Sequence, residues 1–191
     1  MKLVDVKAAQ NTSGAKFICY SGLGAVLVRS LYSLMLSLHE ANGYEEFISP
    51  LLVKRESLFG TGHLPKFAAE IFSSDRELFL IPTSEVNLVS QFKNRIFSFE
   101  ELPKKLVSFS PCFRKEAGAA GKLSHGLLRM HQFLKVELVK LVSEESEEEE
   151  FRELLSSATE VLKKLKLPHR VIRLGKKELS FSAAEGFDIE V

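Results

Sequence analysis

Cysteine is scarce in this chain: Cys19 and Cys112 are the two in 191 residues. Neither belongs to a Cys-x-x-Cys pair, which argues against a zinc site or a disulfide framework and fits a reducing cytosol. An excess of charge of one sign is also missing. The 26 Lys and Arg against 25 Asp and Glu leave a net charge of +1, so no global basic field draws in nucleic acid, and any RNA contact must come from a local patch. No long hydrophobic run is present. The most apolar stretch, Leu23 to Leu38, carries Arg29, Ser30, Ser33 and Ser37 and is too short and too polar to span a bilayer. The N-terminal MKLVDVKAAQNT lacks the apolar core of a signal peptide. Internal repeats are absent, as are the GxxxxGK[ST] and strand-linked GxGxxG phosphate loops. What is left is a cytoplasmic, non-membrane globular chain, 45% hydrophobic and 27% charged, long enough to bury a core without staples.

Leu23, Leu27, Leu31, Leu34 and Leu38 recur at helical spacing and predict an amphipathic helix, either a core element or a dimer element. Asn42-Gly43 stops it with a left-handed cap. Tyr44 to Val53 reads as one extended segment, Arg55 to Phe59 as a short helix, and Gly60-Thr61-Gly62 as a turn rather than a phosphate loop. Glu77 to Ile81 is a short strand, after which Thr83 caps a helix to about Phe92. Lys105 to Arg114 and Leu127 to Val142 are strands joined by a glycine-rich stretch. Glu144 to Lys166 is a helix with an acidic, solvated start. Val171 to Leu174 and Phe187 to Val191 are strands. Mostly antiparallel strands flanked by helices make an α+β fold. His39, His63, His131 and His169 lack ligand spacing, so no metal site is expected.

The strand pair carries the chemistry. Side chains alternate between faces with a period of two. Val107, Phe109 and Phe113 form an apolar face, opposed by Ser108, Ser110, Cys112, Arg114 and Glu116. In the second strand Leu128, Met130, Leu134, Val136 and Leu138 (with Gln132) face away from Arg129, His131, Phe133, Lys135 and Glu137. Small side chains beside charge leave room for a ligand. Centring the loop between Gly121 and Lys122 sets Arg114 opposite Arg129 and Ser110 opposite Phe133. Two facing arginines destabilise a sheet unless an anion lies between them, and arginine binds phosphate bidentately. Phe133 would then stack a planar base, and Glu116 would accept from its exocyclic amine.

The run SPCFRKEAG followed by HQFLKVE resembles motif 2 of class II aminoacyl-tRNA synthetases. GTGHLPKF (60–67), LFLIPTSEV (78–86), LLRMHQFLKVELVK (127–140), LPHRV (167–171), FSAA (181–184) and GFDIEV (186–191) narrow the resemblance to the seryl-tRNA synthetase family. It implies an incomplete class II antiparallel sheet flanked by helices. Residues 1–191 would form one partial catalytic domain, with motif 1 at about 23–53 building a homodimer and motif 2 at about 105–139.

By that resemblance Arg114 is the catalytic arginine on the ATP α-phosphate. Lys115, Glu116, Arg129, Met130 and Phe133 complete the ATP site. Thr83, Ser84, Glu85 and Glu137 bind serine, and Lys122 and His125 meet the tRNA acceptor stem. The implied reaction activates serine with ATP and passes the seryl group to tRNA(Ser). Mg2+ would be held by family segments outside these 191 residues, as would motif 3 and the tRNA-reading arm, so the isolated chain is expected to be weakly active at best. Two alternatives stay open: an inactive synthetase-like dimeric scaffold, and a ligase that charges a carrier protein.

Overall fold

A computed structural model describes residues 3–74, 77–116 and 129–191 of the chain. In chain order these form β1 (Val4–Asp5), α1 (Val6–Thr12), β2 (Cys19–Tyr20), α2 (Leu23–Ala41), β3 (Glu45–Glu46), β4 (Leu52–Lys54), α3 (Arg55–Gly60), β5 (Leu78–Leu80), α4 (Glu85–Ser90), β6 (Lys104–Phe113), β7 (Gln132–Leu141), α5 (Glu147–Lys164), β8 (Arg170–Arg173) and β9 (Phe187–Glu190). Two compact units divide the chain at residues 141 and 142.

The first unit is organised by the antiparallel β6–β7 ladder, with β3 added parallel to the other edge of β6. As the middle strand, β6 is covered on both sides, and Leu106, Val107, Ser108 and Cys112 are all buried. Pro111 sits within it without harm. Phe113 N–H points away from β7, to Ile81 O, so position 111, two residues earlier, would also direct an N–H away from the ladder. Tyr32 of α2 stacks on Phe109 (3.8 Å between centroids), which covers the apolar face of the sheet.

The ladder register differs from the sequence expectation. Ser108 pairs with Glu137, Ser110 with Lys135 and Cys112 with Phe133, and Arg114 N–H donates to His131 O. Arg114 is therefore opposite His131, not Arg129, and Ser110 is not opposite Phe133. The slip is two residues, so every side chain keeps its face and changes only its cross-strand neighbour. The physical gain is at the ends. Arg129 meets Glu116 in an ion pair of 3.0 Å instead of facing a second arginine.

A compact core of Val53, Leu58, Leu64, Ile71, Ile81 and Val86 ties α3, the 60–67 turn and the β4–β5 pair to α4. Burying each of these side chains stabilises the fold by about 1.5–3 kcal/mol. This core fixes the Ile81–Glu85 segment beside the β6–β7 ladder. The expected extended segment from Tyr44 to Val53 is broken into β3 and β4, which join different sheets. The predicted helix α2 forms, and Gly43 (φ +82) ends it. Its stripe is not a covered core: Leu23 and Leu27 are each 59% exposed and Leu34 is 37% exposed. At its start Gly24 passes so close to the β1 side that a Cβ there would lie 1.9 Å from Leu3 O.

The second unit holds α5 and the β8–β9 hairpin, with Phe151 of α5 packed against Phe187 of β9. The glutamates that open α5 are mostly solvated, as expected, and Glu148 pairs with Arg152 one turn on. No helix among the described residues is long and apolar enough to cross a membrane.

Candidate functional site

The polar face of the β6–β7 ladder forms a floor of small buried side chains: Ser108, Ser110 and Cys112. Burial pushes the Cys112 thiol up, with Ser110 opposing. Cys112 is thus an inert small side chain rather than a nucleophile.

Glu137 is the hub of this face. Its Oε2 accepts from the Thr83 hydroxyl, from Ser84 Oγ at 2.8 Å and from Glu85 N–H at 3.0 Å. Its Oε1 accepts from Lys135 Nζ at 2.6 Å. Lys135 Nζ also donates to Thr83 Oγ1 at 3.0 Å. Thr83 and Ser84 are buried, and such hydroxyls need partners; one carboxylate serves both. This corrects the expected cap. Helix α4 begins at Glu85, with Ser84 at the cap position and no side-chain cap bond of its own. Thr83 Oγ1 lies a long 3.4 Å from Glu85 N, because Glu137 has taken that role from across the sheet.

The two carboxylates of this face sit in different electrostatic surroundings. Burial works to raise Glu137, but the Lys135 charge and the hydrogen bonds from Lys135, Thr83 and Ser84 bring it below the usual carboxylate value. Burial raises Glu85, the Glu137 charge raises it further, and Lys135 opposes. The Glu85 carboxylate has no hydrogen-bond or ion-pair partner among the described residues.

Arg114 leaves the end of β6 with Nε donating to Pro82 O at 3.3 Å, and its guanidinium lies 5.1 Å over the Phe133 ring. A cation over an aromatic face is attracted by the ring quadrupole. Glu116 adopts a left-handed backbone (φ +49) that turns its carboxylate toward Arg129. The structure thus brings together Thr83, Ser84, Glu85, Glu137, Arg114 and Phe133, and pairs Glu116 with Arg129 beside them. Two further expected residues lie at its margin. Lys115 Nζ lies over the Phe72 ring. Met130 lines a pocket of about 110 Å³ with Phe17, Ile18, Tyr20, Gln132, Phe133 and Leu134. Lys122 and His125 lie outside the described residues.

Two residues near the site were not singled out by sequence. Alternation places Lys135 on the polar face but gives it no role. His63 lacks metal-ligand spacing in the sequence. Its Nδ1 lies 2.9 Å from Thr61 Oγ1, and that hydroxyl donates its single proton to Ser57 O at 3.0 Å. Burial holds the ring neutral; the Arg114 and Lys135 charges act in the same direction, against Glu137. Among the described residues no group of three or more His, Cys, Asp or Glu side chains gathers to hold a metal ion.

Residues 67–191 match the family model of the tRNA synthetase class II core domain (G, H, P, S and T). The chain is 44% identical over 191 residues to the serine--tRNA ligase of Mesoplasma florum, covering all of this chain and 45% of that relative. It is 48% identical over 190 residues to that of Caldicellulosiruptor bescii, covering 99% of this chain and 45% of the relative. The fold superposes on seryl-tRNA synthetase from Pyrococcus horikoshii complexed with ATP (TM-score 0.93, 33% identity, 97% of this chain and 42% of that one). It also superposes on the cytoplasmic serine-tRNA ligase of Naegleria fowleri in complex with AMP (TM-score 0.91, 27% identity, 97% and 44%). The chain spans under half the length of these relatives. With the motif 2 ladder, the Thr83–Glu85 segment and the family model in agreement, this chain belongs to the class II tRNA synthetase core domain family.

Proposed function

We propose that this chain is the part of a serine--tRNA ligase that holds serine and the adenosine end of ATP during seryl-adenylate formation. The observation that carries the reading is the single network in which Glu137 gathers Thr83, Ser84 and the Glu85 backbone, on the face where Arg114 lies over Phe133. The substrate carries an ammonium, a carboxylate and a hydroxyl. Its ammonium suits the Glu85 and Glu137 carboxylates. Its carboxylate oxygen attacks the α-phosphorus of ATP, the bond from that phosphorus to the bridging oxygen breaks, and pyrophosphate leaves with the electron pair.

No protein nucleophile is required, so the work is positioning and charge stabilisation. Arg114 would meet the α-phosphate and Phe133 would take the adenine ring after Arg114 moves off its face. Glu116 would accept from the adenine amine once freed from Arg129, whose guanidinium would turn to the phosphates. Lys115 and Met130 would edge the nucleotide site, and Lys122 and His125 would meet the tRNA(Ser) acceptor end. A site with polar groups built for a hydroxyl rejects an analogue that lacks it. The described residues supply no cluster fitted to Mg2+. The exposed leucines of α2 support a homodimer built on that helix. Two free cysteines and no membrane-crossing helix among the described residues support the cytoplasm as its location.

The test is ATP–pyrophosphate exchange by the intact protein, with serine against threonine and alanine. Serine-specific exchange is the expected result. Exchange that ignores the amino acid, or none from a folded protein, counts against the reading.

A further inference from the structure

The segment that follows β4 turns its aliphatic side chains inward and its phenylalanines outward. Val53, Leu58 and Leu64 belong to the core, while Phe59 is 48% exposed and Phe67 is 39% exposed. Neither ring stands alone. The Arg55 guanidinium lies 5.5 Å from the Phe59 centroid, and Lys66 Nζ lies 5.2 Å from that of Phe67. Lys115 Nζ repeats the arrangement over Phe72 at 5.7 Å. A cation is drawn to a ring face by its quadrupole, and at an exposed site the attraction is weak enough to be exchanged for another partner.

The charge here is positive. From Lys54 to Phe72 the cations are Lys54, Arg55 and Lys66, and the acids are Glu56 and Glu70. Lys93, which follows α4, binds Glu56 at 2.8 Å, and Lys115 adds a further cation from just past β6. The segment also reaches the site described above. The Phe67 ring lies 6.5 Å from that of His63, and His63 feels the charges of Arg114, Glu137 and Lys135.

We propose that this segment is a track for the single-stranded end of an RNA: Phe67 and Phe59 take unpaired bases on their open faces, while Lys66 and Arg55 pass from the rings to the phosphates. This deepens the reading given above and rests on it for the partner, an RNA whose end must reach the amino acid. Every base has a π face, so stacking on phenylalanine asks for no particular sequence. Cations on the backbone add an attraction that falls with salt. A duplex RNA keeps its bases stacked inside the helix, so it engages the cations and not the rings. An acidic polypeptide also engages the cations but has no base to stack.

The experiment measures binding to the intact protein by fluorescence anisotropy across salt. The probes are a short single-stranded RNA, a blunt RNA duplex and poly-glutamate. Phe67→Leu and Phe59→Leu keep the apolar bulk and remove the ring. Each is expected to raise Kd for the single strand about tenfold and to leave the duplex within about twofold. Lys66→Gln and Arg55→Gln weaken both RNAs and each lower the salt slope by about one. These surface changes keep the test decisive where a leucine variant fails to fold. In activity, Phe67→Leu is expected to lose about tenfold in kcat/KM for seryl transfer to tRNA, while serine-dependent pyrophosphate exchange without RNA stays within about twofold. An unchanged single-strand Kd in both leucine variants overturns the proposal, as does an equal loss for the duplex. Binding of poly-glutamate with the same dependence on the rings overturns it, and so does a loss of exchange as large as the loss of transfer. Ring-dependent binding of the single strand by a protein without serine-dependent exchange would instead strike the functional reading and leave the track standing.

Discussion

Glu85 and Glu137 share one face of the sheet and contribute to stability with opposite signs. Glu137 is held below its ordinary value. It stabilises the fold above the ordinary carboxylate value, and that contribution is lost as pH falls through its lowered folded value. Glu85 is held above its ordinary value, first by burial. In the window between the unfolded and folded values the native state binds more protons than the unfolded chain. Stability therefore falls as pH rises through that window, and the full cost of the buried charge is present above it. Replacing Glu85 with Gln removes the ionisation. Glu85→Gln is expected to raise stability at neutral pH by about 1 kcal/mol, a few degrees in Tm, with little change below the carboxylate range and with loss of serine affinity. Thermal melts across pH, paired with serine binding, check both halves. Equal destabilisation at all pH values would show that Glu85 is a structural group.

At the scale of elements, the division of the hairpin into faces was legible because strand alternation is independent of loop geometry. Ser108, Ser110 and Cys112 lie with Phe133, Lys135 and Glu137, as the period of two requires. The register was not legible. It depends on where the joining loop folds back, and a two-residue slip preserves the alternation while exchanging Arg129 for His131 opposite Arg114. The carboxylate cap of α4 was equally hidden, since Glu137 lies 52 residues from the Glu85 N–H it accepts. Helix α2 teaches a different limit. Its leucine periodicity marks the apolar face but says nothing of what covers it, and in the structure Leu23 and Leu27 are open. Gly24 gave no signal in sequence either, yet it is the close-contact point of that helix. Its absent Cβ would overlap Leu3 O at 1.9 Å, so the Leu3 backbone must move to admit a methyl group. Gly24→Ala is expected to cost about 1–3 kcal/mol, read as a lower midpoint in urea. An unchanged midpoint would mean that the β1 segment shifts at no cost.

At the scale of the whole molecule, the first unit frames the candidate site between two scaffolds. The Leu58–Ile81–Val86 core fixes the Thr83–Glu85 segment, and the β6–β7 ladder presents Arg114, Phe133 and Glu137 to it. The chain matches its relatives over nearly its whole length and spans about 45% of theirs. The proposed function requires this one face to bind the amino acid and the nucleotide together. A sulfamoyl analogue of seryl-adenylate reports on that directly, because it joins both halves and cannot react. Its binding to the intact protein, measured by calorimetry beside the alanyl and threonyl analogues, is the measurement to make. Tight binding of the seryl analogue and much weaker binding of the other two are expected. A loss of about a hundredfold is expected in Arg114→Ala, as for a deleted charge-stabilising donor. Equal binding of all three analogues, or an Arg114→Ala variant that binds as well as wild type, would contradict it.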